Sequence, residues 1–530
     1  MRTVASSEVK TRLQSDSEHA ILDVRREGEF AQGHLFFATN VPRALLELKI
    51  ERLVPRKNTP IAIVAANEDE ASSALAALEA MGYSEIAVLE NGVQGWVAAG
   101  GALFGGLNVP SKAFGEFVEV KASTPHIAPE ALHDLIERNA NLIVFDSRPY
   151  AEYRNMNIPG SIKCPGAELV SRIGAYLPDK DSLVVVNCAG RTRSIMGAQS
   201  LIDAGIQNKV VALRDGTMGW RLAGFPLESG QTRRAKRPSD DAVERARAKA
   251  SRVGTRAGVN FLASEDIDAA LKGSDSKTLY LFDVRDPEEY AEGHREGVMS
   301  APGAQLVQTF DTLVAVHNAS IIVTDSDGTR APVTAAWLKQ MGIKNVSCAI
   351  DARKESTKPP PTPPGLGAIL RRAKEINVAE AANRIAAGNA LLLDLANSKE
   401  YKAGHIPSAL FCERHQLPDF LREAEDKEII LTSPDGRLAG VASSDFQSPA
   451  RAIAALKGGT RAWKDAGRAV ENGRGNLPEN PGDVYYRPYD LSAKQEEAMQ
   501  AYLDWEKDLM VKAMNEPGIA FWRAQAKSQD

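Results

Sequence analysis

Val184-Val185-Val186-Asn187-Cys188-Ala189-Gly190-Arg191-Thr192-Arg193-Ser194 is the stretch on which the reading of this 530-residue chain turns. Three β-branched residues in a row predict a short buried strand. After a loop containing Gly190 comes Ile195-Met196-Gly197-Ala198-Gln199-Ser200-Leu201-Ile202, whose apolar spacing predicts a helix. Cys188 is thereby placed at a strand's carboxyl end, beneath a helix amino terminus. The peptide N–H groups of residues 189–194 are expected to point at its sulfur. Together with the helix dipole and the guanidinium groups of Arg191 and Arg193, they would favour thiolate, roughly one or more units below the ~8.5 of a free thiol. A lone cysteine near a turn is more often a small buried hydrophobe. A glycine, two arginines and a helix start beside this one outweigh that reading.

Working outward, one pattern recurs four times. Asp23 is followed by Glu29-Phe30 and Gly33-His34, and Asp146 by Glu152-Tyr153 and Met156-Asn157. Asp283 is followed by Glu289-Tyr290 and Gly293-His294, and Asp394 by Glu400-Tyr401 and Gly404-His405. The spacing from aspartate to the His or Asn position is the same in every copy, which marks tandem repeats. Arg25, Arg148 and Arg285 stand two residues after the aspartate, where the fourth copy has Ala396. Counting from each aspartate as far as Cys188 lies from Asp146 reaches Ala65 and Asp325, both behind short apolar strands. In the fourth copy Ile429-Ile430-Leu431-Thr432 leads to Ser433. Three of the four sites thus lack the nucleophile. Each copy alternates strands with helical stretches, so the fold class is α/β, four small and mainly parallel sheets flanked by helices.

The module and the Cys188–Arg193 loop together resemble the rhodanese family of sulfurtransferases. The resemblance covers most of the chain, including a late Gly-Trp turn at Gly95-Trp96 and Gly219-Trp220, with Ala462-Trp463 in the fourth copy and none in the third. The loop reads C-x4-R, whereas the related phosphatase branch carries C-x5-R, usually after a histidine; here Asn187 precedes the cysteine. The resemblance implies a sulfane-sulfur transferase with Cys188 as nucleophile. Ala189, Gly190, Arg191, Thr192, Arg193 and Ser194 would bind substrate, with Asp146 and Arg148 as a supporting pair below. It implies a small anionic donor such as thiosulfate, a cyanide or thiol acceptor, and no cofactor. The rival readings are a non-catalytic scaffold or persulfide sensor and, less favoured by the short loop, a phosphatase.

The expected domains are residues 1–105, 122–228 (catalytic), 257–355 and 367–475. Gly105 to Lys121 and a basic helix within 229–256 would serve as linkers, and 476–530 as a helical tail. The tail's helix is expected to open at Ser492, with Gln495 completing a capping box, and to dock on the body or on a second subunit. A homodimer is therefore one expectation. Residues 229–256 hold nine basic and three acidic residues; without interleaved aromatics they read as a solvated helix rather than a nucleic-acid site. Composition is that of an ordinary globular protein, 43% hydrophobic and 25% charged with a net charge of −5. No apolar run approaches the roughly 20 residues of a membrane-spanning helix. Four widely spaced cysteines and no apolar leader suggest a reducing cytoplasm and no metal site. Cys164, Cys348 and Cys412 read as packed thiols. His34, His294 and His405, whose counterpart in the cysteine-bearing copy is Asn157, read as packing or hydrogen-bonding residues.

Overall fold

Four open α/β sheets make up the molecule, and a computed structural model describes residues 2–424, 427–446 and 453–524 of them. In the second copy the strand order is His126–Ile127, Val210–Leu213, Leu183–Asn187, Leu142–Asp146, Ile162–Lys163, all parallel. The third and fourth copies repeat that order, and the first repeats it with an addition. Val316–His317 of the third copy pairs antiparallel with His19–Ala20, so the sheet of the first copy is completed from the third. Val184, Val185 and Val186 are all fully buried, as the run of β-branched residues requires.

Register fixes the four equivalent positions. Asp23 pairs with Val64, Asp146 with Asn187, Asp283 with Thr324 and Asp394 with Thr432. Ala65, Cys188, Asp325 and Ser433 each follow the second member of the pair and so stand at the same place in their sheets. The histidine position is a packing device throughout. His34, His294 and His405 each place Nδ1 2.8–3.0 Å from the carbonyl four residues back. Each ring also stacks on the aromatic at that position, 3.7–3.9 Å between centres. In the second copy the Asn157 amide donates to Tyr153 O instead, at 3.1 Å. Burial pushes His34 down to about 3, which leaves its ring neutral at physiological pH.

The connecting segments are more than bare spacers. The stretch that joins the first two copies contains the helix Val109–Ala122, with Phe114, Phe117 and Val118 buried in the core shared by the first three copies. Those residues repeat at helical spacing, and Pro110 sits in the first turn, where a missing N–H costs nothing. The C-terminal helix spans Gln495–Ala513 and starts without the Ser492 cap. Gln495 instead donates its amide to Leu491 O and Tyr489 O, which fixes the preceding turn. The basic helix spans Asp240–Arg256 and buries Ala246, Ala250 and Val253. In the third copy, the strand Val346–Ile350 leads to Pro364–Leu370 with no helix between them.

The fourth copy shows what the lost arginine did elsewhere. Arg25, Arg148 and Arg285 each chelate their aspartate through Nε and Nη2, at 2.5–3.2 Å. Ala396 cannot, and Asp394 Oδ2 is buried without a hydrogen-bond partner. Burial raises the Asp394 carboxyl to about 6. Because the folded value exceeds the unfolded one, this group favours folding fully only below pH ~4. Stability is then lost as pH rises from ~4 through ~6, on the order of 1–3 kcal/mol in all. Asp394→Asn is therefore expected to slow amide exchange in Ala390–Asp394 and Glu428–Thr432 at pH 8 relative to the parent, and to leave it unchanged near pH 4. An equal effect at both pH values would refute the account.

Candidate active site

Cys188 is 2% exposed, at the turn from strand Leu183–Asn187 into helix Thr192–Asp203. Its Sγ lies 3.5 Å from Ser194 Oγ, which in turn donates to Arg191 O at 2.8 Å. Below the loop, Arg148 chelates Asp146, and the Asn187 amide donates to Asp146 Oδ2 at 3.1 Å. Thr217 Oγ1 donates to Cys188 O at 2.9 Å, and the Thr217 and Met218 N–H groups donate to Cys188 O and Ala189 O at 2.8 and 3.0 Å. Those three bonds hold the loop against the turn at Gly216. Gly216 has φ +57 and lies so close to the loop that a Cβ there would stand 2.5 Å from Cys188 O, which only glycine avoids.

The structure brings together most of the residues singled out in the loop but separates the two arginines. Arg193 pairs with Glu152 at 3.0 and 2.9 Å and is the main charge favouring a Cys188 thiolate. Arg191 turns away. Its guanidinium binds Glu116 at 2.7 and 2.8 Å and Asp215 at 3.0 Å, and also binds Glu119. The expectation that both arginines serve the sulfur is corrected, since three carboxylates already occupy Arg191. The lowered thiol pKa is corrected as well. Burial pushes the Cys188 thiol above its ordinary value, against the opposing effects of Arg193 and Ser194, and Glu506 adds to the rise. Cys164, Cys348 and Cys412 are likewise buried and free, each pushed up to about 12 mainly by burial.

The degenerate third copy shows the same loop around an acidic side chain. Asp325 stands where Cys188 stands, and its carboxylate accepts N–H bonds from Gly328 and Arg330 at 2.6 Å and from Ala331 at 2.9 Å. The corresponding N–H groups in the second copy belong to Arg191, Arg193 and Ser194. In the fourth copy Ser433 Oγ accepts from Ala439 N at 3.3 Å, the position matching Ser194.

Sequence reasoning missed the elements that enclose the site. The C-terminal helix lies against helix Val109–Ala122 and over the loop, where Glu506 Oε1 accepts from Thr192 Oγ1 at 2.7 Å. Leu503 and Met499 pack on Met218. Tyr489 Oη donates to Ala189 O at 3.2 Å. A cleft of about 190 Å³ runs beside the loop, lined among others by Ala189, Arg193, Arg148, Lys112, Arg487 and Tyr502. The tail thus docks on the body. The apolar spacing of Phe114, Phe117 and Val118 could have revealed the first of these helices, but no local signal tells the tail where to dock. Among the described residues no cluster of His, Cys, Asp or Glu could hold a metal, and no helix is long and apolar enough to cross a membrane.

Glu506 supplies a test of these electrostatics. Glu506→Gln keeps an acceptor for Thr192 and removes a negative charge near the thiol. The pH midpoint for alkylation of Cys188 by iodoacetamide is expected to fall below that of the parent chain. A midpoint that stays put would show that Glu506 does not act on the sulfur.

The rhodanese-like domain model matches residues 5–99, 128–223, 265–351 and 377–466, one match per sheet. The chain belongs to the rhodanese family. Its whole length is similar to a crystal structure of a thiosulfate sulfurtransferase from Pseudomonas aeruginosa, with 40% identity, 98% of this chain and 99% of that chain covered, and a TM-score of 0.90. A shorter likeness, 39% identical over 88 residues, is to an HTH-type transcriptional regulator of Mycobacterium tuberculosis; it takes in 16% of this chain and 37% of the length of that curated relative. Family and fold together make the chain a rhodanese-type sulfurtransferase of four tandem copies.

Proposed function

We propose that sulfur transfer runs through Cys188 alone, with a persulfide as the intermediate. The Cys188 thiolate attacks the outer sulfur of an anionic sulfane donor such as thiosulfate. A new S–S bond forms to Cys188 as the donor's own S–S bond breaks, and sulfite leaves with the bonding electron pair. The persulfide anion then gives its outer sulfur to cyanide, which leaves as thiocyanate, or to a thiolate, and the Cys188 thiolate is restored. Charge balances in both halves, and no cofactor enters. The N–H groups of the loop, chiefly those of Arg191, Arg193 and Ser194, would hold the persulfide anion.

The observation that carries this reading is the Asp325 carboxyl group, whose oxygens accept three loop N–H groups in the sister copy even though burial and Asp327 push its pKa up. It supports the loop as an anion cradle that the second copy leaves to its sulfur. The same comparison supports a structural role for the first, third and fourth copies, whose equivalents of Cys188 are Ala65, Asp325 and Ser433. Asp146 and Arg148 would keep the loop's base rigid. The domain limits given above and a cytoplasmic location belong to the proposal, whereas the docking of the tail on the body removes the ground on which a homodimer was expected. Steady-state assay of thiosulfate-dependent thiocyanate formation tests it: turnover is expected from the parent chain, and its absence would direct attention to another sulfane donor.

A further inference from the structure

The cleft beside Cys188 contains a buried cation without a counter-ion. Lys112, on helix Val109–Ala122, is 6% exposed and lines the cleft together with Ala189, Arg193 and Arg487. Its Nζ donates to Leu107 O at 2.8 Å and sits 4.7 and 4.5 Å from the ring centres of Tyr502 and Trp505. Among the described residues it makes no ion pair; Glu506 and Asp311 attract it only from beyond salt-bridge distance. Of the other cations lining the cleft, Arg148 pairs with Asp146 and Arg193 with Glu152, while Arg487 is exposed and makes no ion pair among the described residues.

Taking an ammonium out of water is unfavourable unless an anion faces it. Two aromatic faces and one carbonyl offset part of that cost, and of the three ammonium donors one is committed to Leu107. Burial lowers Lys112 to about 8, so it is still mostly protonated near neutrality. A water needs only about 10–15 Å³ of such space, and a cleft of about 190 Å³ has room for a polyatomic anion. Arg191, the loop cation first expected to receive the donor, is held by carboxylates instead.

We propose that Lys112 is the specificity-determining residue that binds the anionic end of the sulfur donor. The cation comes from the helix between the first and second copies, outside every sheet, and the C-terminal helix holds it in place with Tyr502 and Trp505. The proposal rests on the sulfurtransferase reading of Cys188 and assigns its donor-binding group.

The test uses the full chain with Lys112→Met and Lys112→Arg. In thiosulfate-to-cyanide transfer, Lys112→Met is expected to raise the KM for thiosulfate about ten- to a hundredfold, the effect of losing one charged hydrogen bond. Its kcat should stay within a few-fold of the parent value, and Lys112→Arg should recover most of the loss in KM. Alkylation of Cys188 by neutral iodoacetamide should be unchanged in Lys112→Met, which shows that the loop is intact. An unchanged KM, or a fall in kcat with equal loss in Lys112→Arg, would overturn the assignment. If the parent chain does not use thiosulfate, the reading of Cys188 fails separately, and thermal stabilisation by sulfate at constant ionic strength decides the role of Lys112. Stabilisation of the parent but not of Lys112→Met supports it, and equal stabilisation refutes it.

Discussion

Cys188→Ser is expected to abolish thiosulfate-dependent thiocyanate formation, while Cys164→Ser is expected to retain most of it. A serine hydroxyl cannot form the persulfide, so the expected loss is the whole enzymatic rate rather than a fraction. Ser433 already occupies the equivalent place in the fourth copy, and Ser433 Oγ already accepts a loop N–H. The variant should therefore fold normally and fail only in chemistry. Cys164 is buried and pushed up to about 12, which leaves no thiolate to resolve a persulfide. Equal damage from both substitutions would require a two-cysteine mechanism.

Arg330→Ala is expected to destabilise the junction of the second and third copies by about 3–5 kcal/mol, the range for removing one partner from a buried ionic cluster. Arg330 is 1% exposed and reaches across the junction to Glu168 at 2.7 Å, as well as binding Glu289 at 2.8 Å and Asp327 at 2.9 Å. Arg172 bridges the same two glutamates at 2.7 and 3.4 Å. Removing Arg330 leaves Glu289 and Asp327 poorly compensated and also strips the N-terminal side of helix Ala331–Gln340 of its anchor. The urea midpoint of the transition that involves these two copies should fall accordingly. A shift worth less than about 1 kcal/mol would place the cluster with ordinary surface pairs.

Arg330 also shows why the third copy is more than a worn repeat. It closes a loop of the same length as Cys188 to Arg193, and both arginines pair with the glutamate six residues after their aspartate, Glu289 and Glu152. In the second copy that pair faces the sulfur; in the third it faces a neighbour, and Asp325 fills the cradle.

Local pattern carried much of this architecture. The β-branched run, the loop and the helix after Cys188 were legible because burial and period act within a few residues. The four-fold spacing was legible because each copy must place its aspartate opposite the strand that leads into the site. What could not be read was long-range. The direction of Arg191 depends on Glu116 and Glu119, which lie on a helix that looked like a linker. The rise in the Cys188 pKa depends on the C-terminal helix, more than three hundred residues away, which seals the loop and brings Glu506 to it. The charge of Arg193 acts on the sulfur with the expected sign, but the burial that opposes it has no signature in the loop itself.

The central claim is that Cys188 alone carries the transferred sulfur. Intact-mass measurement after incubation with thiosulfate, followed by peptide mapping, tests it most directly. A gain of one sulfur atom on the Cys188 peptide is expected, removed by cyanide and absent in Cys188→Ser. A sulfur atom found on Cys164, Cys348 or Cys412, or no gain in mass while thiocyanate is being formed, would contradict it.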